Sequence, residues 1–523
     1  MKKIYFILLS LILVTSCSKN FVDVKPLGNP TTAFFWHTPD DINRATNAMY
    51  ANMSSEQTFG QNIFFMQGSV SDDVVVGRND DGEAVALKNL QPQGNGSGYY
   101  SSTPWQFLYS AMASANWVIA GIDQATVSSD LKNRAKGEAY FMRGFDHFWL
   151  AYIWGSKDQG VPFDGPENPL YQKRVPPQLP SVIDNYKQII SDLQKAANLL
   201  PIFQSYSPSD YGRAHKAAAW AYMAKTYTYW AQYDNTKWAL IPALCDSITN
   251  VGGRSLLPDY KSVFTIPNNW SSEYIWAVNA GPNGGSEFPG ISLENQGWGQ
   301  FNGWGYCQPT EELYEEYEPG DPRREATILK FGDTFTYFGV ARQYWSTNSP
   351  TGFQQNKFME PYSYGTGTAG SDMFIGHDGN YPFTYLNFPL MRYAEILLLK
   401  AEALIQMNQN AAAAAPLNLV RNRAGLPSIA APTMADLKHE RRVELAIEWS
   451  DRYMDLKRWG DYDKINQPLH GRIHADKTNP SSPYTIQEVW PARHFTAPKN
   501  LVWPINPQEI ALSNGAYKQN AGW

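Results

Sequence analysis

Apolar positions recur at helical spacing along much of the chain, and the pattern is densest between Pro389 and Gly460. From about Met391 to Asn408 the chain is apolar nearly all the way round, with Arg392, Glu395, Lys400 and Glu402 as its few charges. A helix without a wet face must be covered on several sides, so this one is predicted to lie inside a stack. A second helix, about Ala411 to Ala424, opens on an alanine run that lets a neighbour approach closely. It stops at Gly425, the residue suited to the left-handed turn that follows a helix. A third sets Glu440, Glu444 and Glu448 one above another at i, i+4 spacing. Like charges so placed repel, so cations must answer them. Arg441, Arg442, Arg452 and, across the helix pair, Arg421 and Arg423 are the candidates.

The same pattern extends upstream. Thr38 suits an N-cap, Pro39 the first helical position, and Asp40 and Asp41 meet the positive end of the dipole of a helix running to about Met53. Pro104 to Ile122 carries Trp105, Leu108, Met112, Ala115 and Ile119 on one stripe. In Asp130 to Trp154, Phe141, Phe145, Phe148 and Tyr152 line one face, and His147 among them reads as a hydrogen-bonded helix histidine. Pro180 to Leu200 and Arg213 to Gln232 make a further pair. The second of these has a small stripe of Ala217, Ala221 and Ala224 beside a larger one of Trp220, Met223, Tyr227 and Trp230. Alternating small and large stripes nest helix pairs into a solenoid.

The pattern therefore predicts a mainly all-α fold, a tetratricopeptide-like α-α superhelix of paired helices with long irregular loop insertions and minor β-hairpins. The 34-residue consensus of such repeats is not preserved. Helix signals lapse over about 60–103 and 252–386, so the helical body spans about 31–250 and 387–465. No Pro/Ser-rich linker divides the chain, and one domain over 17–523 with large insertions is the simplest organisation, although length alone suggests three or four at ~150 residues each.

Met1-Lys2-Lys3 is a basic segment ahead of the apolar run Ile4 to Val14, too short for a membrane-spanning helix, so 1–16 reads as a secretory signal. Leu13-Val14-Thr15-Ser16-Cys17 looks like a lipobox, with the Cys17 thiol carrying the lipid; more than one acyl chain anchors a protein stably without a spanning helix. Several stretches share a family wording. They include the lipidated cysteine followed by Phe35-Trp36 and an Asp-led helix, and Glu138-Ala139-Tyr140-Phe141-Met142-Arg143. They also include the three helices from Met391 to Gly460, and a tail of Trp503-Pro504-Ile505 with Glu509-Ile510 and a closing Gln519-Asn520-Ala521-Gly522-Trp523. Together they resemble the SusD/RagB family of glycan-binding surface lipoproteins of Bacteroidetes outer membranes. Asn506 ahead of Pro507, and Ala521 in place of a proline, depart from the family's closing pattern. The resemblance implies a non-catalytic protein that captures oligosaccharide or polysaccharide outside the cell and passes it to a SusC-like TonB-dependent transporter, tethered in the outer leaflet. The acidic export cue after the cysteine is thin, since Ser18-Lys19-Asn20 precedes only Asp23.

Composition sharpens this picture in one respect. Aromatic residues make up 14% of the chain, with 18 Trp and 31 Tyr, more than a core needs, so loops must display some. Gly297-Trp298-Gly299 and Gly303-Trp304-Gly305-Tyr306 flank tryptophan with glycine, as a displayed ring requires and a core ring rarely does. A pyranose offers an apolar C–H face to a flat ring and a polar rim to Asn, Gln, Asp and backbone groups. Trp298, Trp304 and Tyr306 are the expected ligand-binding residues, with Tyr99 and Tyr100 from the earlier loop beside them. Burial beneath the loop is the alternative place for each ring. Three or four platforms at ~1 kcal/mol each give roughly −4 to −5 kcal/mol, weak enough for a ligand that must be handed on.

Other chemistry is scarce. A net charge of −6 leaves no basic footprint for nucleic acid. Cys245 and Cys307 could pair or stay buried as small hydrophobes. The acidic runs Asp72-Asp73 and Asn79 to Glu83 lack the alternating ligands of an EF-hand, so a structural Ca²⁺ has no support and solvated turns are expected. No cofactor is called for. His470 and His474 have helical spacing but no third ligand for a metal. The rival reading is an all-helical glycoside hydrolase using Glu444 and Glu448, or Glu311 and Glu312. Arginines around the first pair would hold both ionised, whereas a general acid needs a raised pKa. A third reading is a purely structural surface protein.

Overall fold

In the computed structural model the described residues are 35–78, 80–280, 304–337, 340–345, 349–358, 375–376, 381–382, 386–448 and 451–523. α1 (Pro39–Tyr50) opens on a reciprocal capping box, in which the Thr38 hydroxyl accepts from the Asp41 amide and the Asp41 carboxylate accepts from the Thr38 amide. α2 (Tyr99–Gly121), α3 (Ser129–Trp154), α4 (Val182–Leu199), α5 (Lys216–Trp230) and α6 (Ile241–Asn250) follow, each packed against the next. Gly137 lets α3 approach the end of α4, because a Cβ there would stand 2.9 Å from Leu200 Cγ. Ala217, Ala221 and Ala224 on α5 are fully buried, as the small stripe predicts. His147 accepts or donates at 2.7 Å with Asn185 and stacks on Phe163, and burial pulls its pKa down to about 3.

The central helix is α7 (Tyr393–Gln406). It packs against α5, α6, α8 (Asn410–Arg423) and α9 (Met434–Leu445), the multi-sided cover that its lack of a wet face demands. Strand pairs are short. β2 (Tyr274–Val278) runs antiparallel to β4 (Phe388–Arg392), pinning together the two ends of the long insertion just before α7. β1 (Val74–Val75) pairs with β3 (Gln308–Pro309), joining the early insertion to the late one. β5 (Leu469–His474) and β6 (Tyr484–Trp490) form a hairpin. His470 and His474 therefore lie on a strand, not a helix, with Glu312 and the Ser482 carbonyl as partners.

The glutamate column departs from its prediction. α9 ends at Leu445, Ala446 is extended, and Ile447 has φ +64° before the chain re-enters α10 (Arg452–Trp459). Only Glu440 and Glu444 share a helix face, and Glu448 lies beyond the break. A β-branched residue at positive φ is unusual. Here Lys357 Nζ holds the break by donating to the Ala446 carbonyl at 2.5 Å and to Glu448 at 3.0 Å.

Cations do answer all three carboxylates, but three of the five, Arg323, Arg392 and Lys357, are not the predicted ones. Glu440 accepts from Arg323 (2.6 Å) and Arg421 (3.0 Å). Glu444 accepts from Arg323 and Arg392, both at 3.1 Å, and from Arg423. Glu448 accepts from Arg392 (2.5 Å) and Lys357 (3.0 Å). Residues adjacent to the column point ~100° away from it round the helix, so Arg441 turns to Asp455 (2.9 Å) and Arg442 to Asp73 (2.8 Å) and Glu316 (2.7 Å). Arg452 grips Asp72 with two bonds of 2.8 Å. Asp72 and Asp73 are thus buried ion-pair partners, not a solvated turn. The early insertion is also more helical than its sequence suggests, with short helices at Asn62–Met66 and Gly82–Lys88. Cys245 and Cys307 are separate buried thiols.

Breaking a buried pair leaves an uncompensated charge, at a cost of about 3–5 kcal/mol. Arg392→Met is therefore expected to lower unfolding free energy by that amount in chemical denaturation, while Lys187→Met, in the surface pair with Asp184, stays within about 1 kcal/mol. Acid should unfold the protein through the same lattice. Burial pushes the Glu444 carboxyl up, but Arg423, Arg392 and Arg323 outweigh it and hold it at about 2, below its ordinary 4.5. Glu316 is held at about 2 against its own burial by His439 and Arg442. A folded-state pKa below the unfolded one gives stability that is complete above the unfolded value and lost as pH falls toward the folded one. Denaturation midpoints measured from pH 7 to pH 2 should hold down to about 4.5 and then fall; a midpoint unchanged at pH 2.5 would contradict this account.

Candidate functional site

Asp81 is the residue around which the two insertions meet. One carboxylate oxygen caps the helix Gly82–Lys88, accepting from the Glu83 and Ala84 amides at 3.1 Å each. The other accepts the hydroxyls of Tyr100 at 2.7 Å and Tyr306 at 2.6 Å. Two residues on, the Glu83 carboxylate accepts the Tyr99 and Tyr100 amides at 3.0 and 2.7 Å. It thereby caps α2 from outside, where the helix's own Gly98 offers no side chain. Tyr99 and Tyr100 consequently stand on the first turn of a helix, not on a loop.

β1 and β3 bring the second insertion to this point. The Gly77 amide donates to the Gly305 carbonyl at 2.8 Å, and the Thr310 amide to the Asp73 carbonyl at 3.0 Å. A Cβ on Gly77 would lie 2.7 Å from the Gly305 oxygen, so glycine here serves close backbone approach. That explains why Tyr306 is not displayed although glycine precedes it. Its ring is 3% exposed, edge-on to Phe65 at 4.7 Å and to Trp304 at 6.2 Å. Tyr100 is half-buried against Phe65 at 4.4 Å. Burial, reinforced by the bond to Asp81, raises both tyrosine pKa values well above the ordinary range, so both hydroxyls stay donors.

The surfaces left for a ligand are Tyr99, 44% exposed, and the half-buried Trp304. Tyr99 is steadied by the Gln57 amide, which donates to its hydroxyl at 2.7 Å. Arg78 lies 6.0 Å from the Tyr306 ring centroid and pairs with exposed Asp80 at 2.9 Å. Tyr99 next to Tyr100 and Trp304 next to Tyr306 are thus the two ends of an aromatic run joined at Asp81, with Gln57 at one end and Arg78 at the other; such a shelf offers flat rings to a sugar's apolar face and polar groups to its rim. Four of the five predicted residues thus cluster around Asp81; Trp298 and the lipid-bearing Cys17 lie outside the described residues. Gln57, Arg78, Asp80 and Asp81 went unpredicted. Their signal was the polar run Arg78 to Asp81 directly after a buried valine strand.

The carboxylates considered for catalysis are otherwise engaged. Glu444 and Glu448 are sunk in the arginine lattice, Glu311 is paired with Arg472 at 2.5 Å, and Glu312 with His470 at 2.5 Å. Glu318, His439 and Glu440 have the spacing of a three-ligand metal site. Arg421 already bridges the two glutamates at 2.7 and 3.0 Å, so a resident cation takes their charge.

The paired-helix body with its long insertions is the architecture of a known class of binding proteins, and the comparisons place the chain within it. The chain belongs to the SusD family, whose model matches residues 261–523; a second model, for starch-binding proteins associating with the outer membrane, matches residues 20–228. A SusD-like protein of Bacteroides ovatus is 25% identical over 505 residues, covering 91% of this chain and 86% of its own length. The crystal structure of a SusD-like protein from Bacteroides fragilis aligns with a TM-score of 0.77 at 22% identity, over 94% of this chain and 98% of that one. A laminarin binding SusD-like protein aligns at 0.70 with 23% identity, over 92% and 99%. The fold is the helical, tetratricopeptide-like one expected. The family and its solved neighbours are described as carbohydrate-binding proteins, not hydrolases.

Asp81→Ala removes one helix cap and strands two tyrosine hydroxyls. The expected loss is about 1–3 kcal/mol of stability, read by denaturation, with a change in the near-ultraviolet tyrosine signal that Asp80→Ala does not produce.

Proposed function

We propose that this protein is a surface glycan-binding lipoprotein that captures oligosaccharide on the shelf of Tyr99 and Trp304. The observation that carries this reading is the aromatic run from Tyr99 through Tyr100 and Tyr306 to Trp304, joined at Asp81 where two insertions converge, with Gln57 bonded to Tyr99 and Arg78 beside Tyr306. Tyr99 and Trp304 stack on the C–H faces of sugar rings, and the guanidinium and amide bond the hydroxyl rim. Tyr100 and Tyr306 hold the platform rather than touch the ligand, with Trp298 a further ring from the same insertion. The family's outer-membrane association and the laminarin-binding neighbour support the substrate class.

Two ring faces at ~1 kcal/mol each leave capture weak, which suits delivery of the glycan to a SusC-like TonB-dependent transporter. Cys17 carries the lipid that tethers the chain in the outer leaflet, after removal of residues 1–16. The mature chain, 17–523, acts as a single domain.

Titration calorimetry against a panel of soluble glycans tests the reading. Trp304→Ala and Tyr99→Ala should each weaken the best ligand about fivefold, with no reducing ends released by any form. Unchanged affinity in both variants refutes the assigned shelf. Cys17→Ala should release the protein from the membrane fraction, and loss of the transporter should leave capture intact while abolishing uptake.

A further inference from the structure

A second cavity opens at the same end of the helix stack. It encloses about 620 Å³ and is bounded by the C-terminal ends of α3, α5 and α10 and by the segment Leu501–Val502. That size suits a small-molecule site. The tail separates it from the Asp81 shelf: the Trp503 amide bonds the Ile153 carbonyl, and Pro504 accepts from Trp154 on one side and abuts Gly96 on the other.

Its lining pairs aromatic surface with one unbalanced charge. Tyr186 and Tyr233 lie in the wall, Tyr233 being 36% exposed, and Tyr462 is stacked from behind on Phe495 at 4.6 Å. Arg458 lines the cavity too, but it is neutralised by Asp455 at 2.7 Å and by Glu402. Lys157 and Asp158, both exposed at the rim, offset one another. Lys457 is different. Its side chain is 6% exposed, its ammonium donates to the Leu501 carbonyl at 2.9 Å and lies over the Tyr453 ring at 4.5 Å, and among the described residues no carboxylate comes within ion-pair distance. Most buried arginines of this interior meet acid, while Lys88, Arg254 and Arg493, like Lys457, bond backbone carbonyls, but none of those three lines this cavity. A buried ammonium facing only a carbonyl and a ring is incompletely compensated, and burial pulls its pKa down to about 7.

We propose that this cavity is a second ligand site, taking a single ring that carries a carboxylate, with the acid group on Lys457 and the ring against Tyr186 and Tyr233. The carboxylate supplies the charge that the protein withholds. The tyrosine faces take the flat of the ring, and Gln159 and Gln232 at the wall bond its substituents. A sugar acid and an aromatic acid share this chemistry.

The test titrates the purified mature chain with D-glucuronate and with 4-hydroxybenzoate, followed by ligand-observed NMR, with D-glucose as the neutral control. At least one acid is expected to bind about tenfold or more tightly than glucose, the scale of one charge-assisted hydrogen bond. Preference between the acids identifies the source. Lys457→Met should abolish that preference while the affinity of the shelf for its glycan is unchanged, and Trp304→Ala should leave acid binding untouched. If Lys457→Met does not fold, Tyr233→Ala, at the exposed rim, should weaken acid binding about fivefold. Absence of binding by both acids overturns the proposal, as does equal acid binding in the folded variants and the parent.

Discussion

Charge taken out of water is costly unless it is compensated, and in this protein most of that compensation comes from buried ion pairs. Arg323, Arg392, Arg421 and Arg423 converge on Glu440, Glu444 and Glu273, while Arg441, Arg442, Arg452 and Arg458 face Asp455, Asp73, Asp72 and Glu402. Such pairs contribute little net stability compared with apolar packing, yet each becomes costly when half of it is removed. They consequently fix which segments lie together. Arg392 ends β4, Glu273 precedes β2, Arg323 belongs to a short helix inside the insertion, and Lys357 comes from an irregular stretch; the lattice seats all four against α9.

The shelf depends on the same logic at smaller scale. Arg442 and Arg452 hold Asp72 and Asp73, β1 follows directly, and the chain emerges at Arg78 and Asp81 in register with β3. Glu83 and Asp81 then pass that placement to α2 and Tyr306 through hydrogen bonds. The rings at this junction are therefore connected to the core by carboxylates as well as by packing, and their placement follows from the buried arginines.

What the sequence disclosed follows from which signals are local. The paired helices were legible because a 3.6-residue period is written within each segment, and the need to bury α7 on several sides followed from its missing polar face. The glutamate column was half legible. Its spacing foretold cations, but Arg323 and Lys357 arrive from segments without periodicity, Arg392 ends the strand just ahead of α7, and nothing in the order of residues announces the break at Ile447. At the shelf, tyrosine and tryptophan composition pointed to two insertions that the structure brings together at Asp81. Gly305 misled because glycine permits close backbone approach as readily as flexibility, and only the pairing of Gly77 with Gly305 separates the two.

The bonds from Arg442 to Asp73 and from Arg452 to Asp72 span 369 and 380 residues. Their consequence is temporal. A chain emerging from its amino end carries two carboxylates destined for burial long before their guanidiniums exist, so the first half cannot close its core early. Native structure has to wait until nearly all of the polypeptide is present.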